Sequence, residues 1–247
     1  MENPRRYETL KCDIVRDHYA PGCCYVVTAG EIALDVTVIT WHHQADLKQW
    51  LRRVRWLHGQ KNNKKCKIVV GITARKSINC VGGSRGARRG KVMHHELLQI
   101  CIGQHCLIIE IQPYGAVRRS LKAFFRVFLQ DNRFIFVGLG IKDIAGQLYR
   151  DYKDTDYDNM AIIPKPVDLK ELAACAGEEL MDLVRRKCSL EMLVRHVLGV
   201  DYEKPKTLAW YGEGYEFSDE LIMWSSVDVY LMTMIGSIHS LTDQGWW

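Results

Sequence analysis

Thr73 and Arg75 stand two residues apart at the end of one apolar run. The stretch KIVVGITARKS, Lys67 to Ser77, opens as a buried strand rich in β-branched residues. The two-residue spacing then puts Thr73 and Arg75 on one strand face. A hydroxyl and a permanent guanidinium can hydrogen-bond or bind anions, but they are not the hard anionic oxygens that hold magnesium or manganese. A second pair, Trp224 and Asp228, is four residues apart in a long apolar segment, one turn along a single helix face. Asp143 follows the glycine-rich end of another apolar run, RFIFVGLGI. The stretch RGARRGK gathers Arg85, Arg88, Arg89 and Lys91 among glycines, and can grip backbone phosphates with salt-dependent affinity or stand as a solvated basic loop. It lacks the GKS or GKT end of a Walker loop. Lys61, Lys64, Lys65 and Lys67 form a second basic run with a weaker claim. His42-His43 and His94-His95-Glu96 are polar clusters, but the chain has neither CxxC nor HxxxH, so the spacing of a zinc site is missing.

The elements that must position these groups read as follows. CCYVVTAGEIALDVTVIT is two strands around Ala29-Gly30. DLKQWLRRVRWLHG is a helix with Leu47, Trp50, Leu51, Val54 and Leu57 on its buried stripe and Gly59 as its stop. The strand Lys67 to Thr73 comes next, then a basic loop, then a hairpin, ELLQICIGQHCLIIEI, turning at Gly103-Gln104. RRSLKAFFRVFLQD is a helix capped at Ser120, and IKDIAGQLYRDY is another. Asp168 opens a helix with Glu171 three residues on, a capping-box pattern. Ser189 caps SLEMLVRHVLG, with Gly199 as its stop, and Ser218 caps the long last helix. Strands followed by hairpin, helix, strand and several helices predict a mixed sheet covered by helices on both sides.

Composition sets the bounds. A chain of 247 residues, 47% hydrophobic, can bury one sizeable core. A net charge of +5 is compatible with nucleic acid without requiring it. Nine cysteines, an odd count after a polar start, predict reduced thiols in an intracellular protein, nuclear or cytoplasmic. No apolar run is read as reaching the ~20 residues of a membrane span, so no membrane role is expected.

Five stretches, in order, carry a resemblance: IVVGI; GKVMHHELLQICIGQHCLIIEI, with about two extra residues; FVGLGI; SLEMLVRHVLG; and SSVDVY. Together they resemble the 3′–5′ exonuclease domain of the Werner-syndrome type, of the DEDD group in the ribonuclease-H-like superfamily, in its small plant stand-alone form. The resemblance spans roughly Cys24 to Leu241. It implies an α/β fold, a ribonuclease-H-like mixed β-sheet flanked by helices on both faces. It also implies a single domain over residues 24–247 behind an N-terminal extension, 1–23.

In that family four carboxylates hold two divalent cations, and a tyrosine four residues before the last aspartate orients the attacking water. The resemblance places the first two carboxylate slots on Thr73 and Arg75. The third falls on Ile144, with Asp143 one place early and about 100° away around a helix. The tyrosine slot is Trp224, and only Asp228 is retained. The implied consequence is a site that holds no metal and a protein that binds rather than cuts. Its expected ligand is single-stranded or frayed nucleic acid, held by Arg75, Arg85, Arg88, Arg89, Lys91 and Trp224. Arg75 is expected to pair with Asp228 or with a phosphate. Two alternatives compete. One is an active Mg2+- or Mn2+-dependent exonuclease whose site is rebuilt from Asp143, Asp228 and Glu96 or Asp168. The other is a protein-interaction module.

Overall fold

The computed structural model describes residues 7–17, 23–40, 45–59, 67–80, 91–111, 116–152, 163, 166–175, 181, 188–211 and 216–242. An eight-stranded mixed sheet runs through the middle of the molecule. Its strands are β2 (Cys12–Arg16), β3 (Cys23–Ala29), β4 (Ile32–Ile39), β5 (Ile68–Cys80), β6 (Lys91–Ile102), β7 (His105–Glu110), β8 (Phe134–Gly138) and β9 (Val167–Asp168), ordered β2-β3-β4-β7-β6-β5-β8-β9. β4 with β7, β5 with β8 and β8 with β9 are parallel, and the remaining neighbours are antiparallel. The expected ribonuclease-H-like layering is the one found.

Period-2 patterning sends alternate side chains to two cores. On one face, Val70, Ile72, Leu98, Ile100, Leu107 and Ile109 pack under α1 (Ala45–Gly59), α2 (Ala116–Leu129) and α3 (Ile141–Tyr152). On the other, Leu34, Val36, Leu97, Cys101, Cys106 and Ile108 pack under α4 (Leu169–Cys175), α5 (Leu190–Leu193) and the long α6 (Asp219–Thr242). Asp219–Ile238 is in fact long and apolar enough to cross a membrane, contrary to the sequence reading, but 72% of that window is buried inside the protein, where α6 is a core helix.

Local signals place most ends correctly. Ser189 Oγ accepts from the Met192 amide at 3.4 Å, and Ser218 Oγ accepts from the Leu221 amide at 3.1 Å. α5 runs into a π-helical turn, Val194–Leu198, closed by Gly199 at φ 70°, a left-handed conformation that glycine adopts without a Cβ clash.

Several expectations need correction. α2 begins at Ala116, so Ser120 is interior; Ala116, Arg118 and Arg119 are good helix formers that carry the helix ahead of it. Leu57 is exposed, whereas Leu47, Trp50, Leu51 and Val54 are buried. β5 continues past Thr73 to Cys80, because β6 pairs with it along that whole length.

Within the expected N-terminal extension, residues 7–17 pair with the rest of the fold. β2 is the edge strand of the sheet, paired antiparallel with β3 from Cys12↔Ala29 to Arg16↔Tyr25. β1 (Glu8–Thr9) pairs in parallel with β10 (Val200–Asp201), and the Leu10 amide donates to the Asp201 carbonyl at 2.8 Å.

Candidate functional site

Asp228 sits in the middle of α6 with its carboxylate turned toward the sheet, and its side chain is only 8% exposed. A charge that deep requires partners, because an unpaired buried carboxylate is costly. It has three. Arg75 Nη2 donates to Oδ2 at 3.1 Å. Lys204 Nζ lies 3.1 Å from Oδ1 and 2.9 Å from Oδ2. The Tyr202 hydroxyl donates to Oδ1. Burial, reinforced by the facing Asp228 charge, holds the Tyr202 phenol well above the ordinary tyrosine range, so it remains a donor. Lys204 has a second, looser acidic neighbour, Glu191 Oε1, at 3.9 Å.

Each partner arrives for a local reason. On β5, Val70, Ile72 and Ala74 face α1–α3, so Gly71, Thr73 and Arg75 face α6. A bulge lies beside Arg75: Arg75 pairs with Leu97 but Lys76 pairs with His95, which leaves Glu96 as the extra residue on β6. That accounts for one of the roughly two additional residues in GKVMHHELLQ. Tyr202 and Lys204 leave β10 immediately after it is clamped by β1. The N-terminal strand thus fixes the segment that covers Asp228.

The other predicted residues fall as follows. Thr73 is partly exposed and lies opposite Gln99 in the ladder. Gln99 is fully buried and donates weakly to Ser225 Oγ at 3.5 Å, and its Oε1 has no partner among the described residues. Trp224 is half-buried against Tyr202, ring centroids 5.6 Å apart. Ile144 is buried in the core under α3, on the sheet face away from Asp228, while Asp143 is exposed. Asp168 caps α4, accepting from the Lys170 amide at 3.0 Å, while Glu171 pairs with Lys142 and not with the helix start. Lys67 Nζ donates to the Asn132 carbonyl at 2.7 Å. Arg85, Arg88, Arg89, Lys61, Lys64, Lys65 and the His42-His43 pair lie outside the described residues, as do the side chains of Lys91, His94, His95 and Glu96. Tyr202 and Lys204, in DYEKPK, and Glu191, in SLEMLVRHVLG, fall outside the slots that the resemblance supplies, so the sequence reading does not single them out.

A pair of divalent cations does not fit these side chains. At about 4 Å and an effective dielectric near 20, two unit charges interact by about 4 kcal/mol. A dication beside Asp228 therefore gains about 8 kcal/mol from the carboxylate and loses a comparable amount to each of Arg75 and Lys204. Among the described residues, no group of three or more His, Cys, Asp or Glu side chains converges to hold a metal.

No family model matches the chain, and comparison with curated proteins finds no match. Comparison with solved structures does. The chain is similar to the Nibbler EXO domain of Aedes aegypti, with TM-score 0.50 and 11% identity over 85% of this chain and 88% of that one. It is similar to Escherichia coli RNase D, an exoribonuclease involved in structured RNA processing, with TM-score 0.55 and 14% identity over 86% of this chain and 46% of that one. It is also similar to the catalytic core of RRP6 from Trypanosoma brucei, with TM-score 0.52 and 14% identity over 85% of this chain and 47% of that one. The chain thus spans less than half the length of the last two. At such identities the likeness shows the fold, that of 3′–5′ exonuclease domains.

Proposed function

We propose that this chain binds single-stranded or frayed nucleic acid on a 3′–5′ exonuclease fold and does not hydrolyse it. One observation carries the reading. Asp228, the surviving acidic slot of the Werner-type pattern, is held by Arg75, Lys204 and Tyr202, which supply donors and positive charge where divalent cations would need anionic oxygens. Without a metal pair, the attacking water and the leaving 3′ oxygen have no Lewis acid to stabilise them. The nucleic-acid half of the reading is supported by the fold and by the net charge of +5. Fold alone does not grant a ligand.

The test is a 3′-end degradation assay on labelled single strands and overhangs with Mg2+ or Mn2+, run beside a binding titration at two salt concentrations. Expected are intact strands and binding that weakens with salt. Metal-dependent shortening that disappears in Asp228→Ala would instead establish an active exonuclease. Strands that bind no better than an inert polyanion such as polyglutamate would turn the assignment toward a protein-interaction module.

A further inference from the structure

Resting on that reading, we propose that Arg75 and Lys204 form a metal-independent seat for a nucleic-acid phosphate, and that Asp228 is the internal anion competing for that seat.

Depth is the first argument. The Arg75 and Lys204 side chains are 23% and 27% exposed, whereas Asp228 beneath them is 8% exposed. An anion arriving from solvent therefore meets the two cations before the carboxylate. The supply of donors points the same way. Two cations converge on the Asp228 carboxylate, and among the described residues Lys204 has a looser acid, Glu191, 3.9 Å away at the solvent side. Arg75 has five N–H donors and spends one Nη on Asp228 among the described residues. Its planar fork is left with donors in the geometry that phosphate oxygens accept. Lys204 adds a compact point charge on a different element, and Trp224 adds a half-buried aromatic ring beside Tyr202.

The site then reverses the logic of a metal nuclease. There, removing the aspartate removes a metal ligand and with it the substrate phosphate's partner. Here, removing the carboxylate's charge frees the cations for the phosphate. The seat suits either an internal phosphodiester or a phosphate at a strand end, and a terminal phosphate carries nearly twice the charge.

The experiment is fluorescence anisotropy with short oligothymidylates ending in a 3′-hydroxyl or a 3′-phosphate, in EDTA and in Mg2+. Wild type is expected to bind equally well in both media. Asp228→Asn, nearly isosteric, is expected to bind about tenfold tighter, because it deletes one repulsive charge beside the seat. Lys204→Gln and Arg75→Gln are each expected to weaken binding about tenfold and to lower the salt slope by about 0.7. A gain confined to the 3′-phosphate strand assigns the seat to a strand end, and an equal gain on both strands assigns it to the internal backbone. If Asp228→Asn binds no tighter while wild type binds well, the seat proposal is overturned and the broader reading stands. If wild type binds no strand at all, the broader reading itself falls. Should Asp228→Asn fail to fold by circular dichroism, Lys204→Gln, in a partly exposed side chain, decides the matter: unchanged affinity overturns the seat.

Discussion

The Gly71 amide on β5 donates to Thr233 Oγ1 on α6 at 3.1 Å, so one short hydroxyl side chain joins helix and strand here. A Cβ at Gly71 would lie 2.5 Å from the Val229 carbonyl oxygen and would also meet the Thr233 hydroxyl. The Val229 obstacle is backbone, which cannot rotate aside. This contact sets the height of α6 above the strand, and Asp228 precedes Val229 on that helix. Gly71→Ala is therefore expected to lower the unfolding free energy by about 1–3 kcal/mol, measured by urea denaturation. It should also loosen the Arg75–Asp228 contact, visible as a weaker coupling in the cycle described next.

Arg75 and Lys204 share one carboxylate, so each partly backs up the other. Arg75→Met alone is expected to cost about 1–3 kcal/mol, since Lys204 and Tyr202 still satisfy Asp228. Arg75→Met with Lys204→Met leaves a buried carboxylate with only a phenol, and about 3–5 kcal/mol is expected. A double-mutant cycle between Arg75→Met and Asp228→Asn should return a coupling of about 1–3 kcal/mol. A coupling near zero would mean that the contact contributes nothing to stability.

Tyr202 makes a pH prediction with a definite sign. Its phenol is held above the ordinary value of 10.0 by burial and by Asp228. Below pH 10 both folded and unfolded chains keep the proton, so this group makes stability neither rise nor fall. Above pH 10 the unfolded chain releases it and the folded chain does not, so stability falls as pH rises. Thermal melts from neutral pH into the alkaline range are expected to show that fall. Tyr202→Phe should flatten it, while costing about 1–3 kcal/mol at neutral pH for the lost donor to a buried charge.

Much of this was legible in the sequence, and the illegible part has a physical cause. Caps and periodicity act within a few residues, so Ser189, Ser218, the Gly103-Gln104 hairpin and the stripe Leu47-Trp50-Leu51-Val54 could be read locally. Counting from Gly138 puts the third carboxylate slot on Ile144; that side chain lies in the core on the sheet face away from Asp228, with Asp143 exposed. The cover over Asp228 was invisible, because it depends on pairing between residues far apart in the chain. Nothing in YETLKCDIVR announces that Glu8 will pair with Val200, and without that pairing DYEKPK has no reason to lie on α6. Lys204 was therefore missed, although Arg75, its fellow partner on Asp228, was in view.

That omission changes how a metal site would have to be rebuilt. The Werner-type slots suggest Thr73→Asp, Arg75→Glu, Ile144→Asp and Trp224→Tyr. Ile144 lies in the apolar core on the other sheet face, so a carboxylate there would be buried without a partner and would cost several kcal/mol. Those four changes also leave Lys204 bonded to both oxygens of Asp228. The quadruple variant is expected to melt well below wild type and to bind no Mn2+ by isothermal titration. Thr73→Asp, Arg75→Glu and Lys204→Gln together place two new carboxylates on the strand face opposite Asp228 and remove both cations. This triple variant is expected to stay folded and to take up Mn2+, because three acids of the required hard-oxygen type would then converge with nothing opposing them. If the quadruple variant binds the metal while the triple does not, Lys204 is not what guards Asp228.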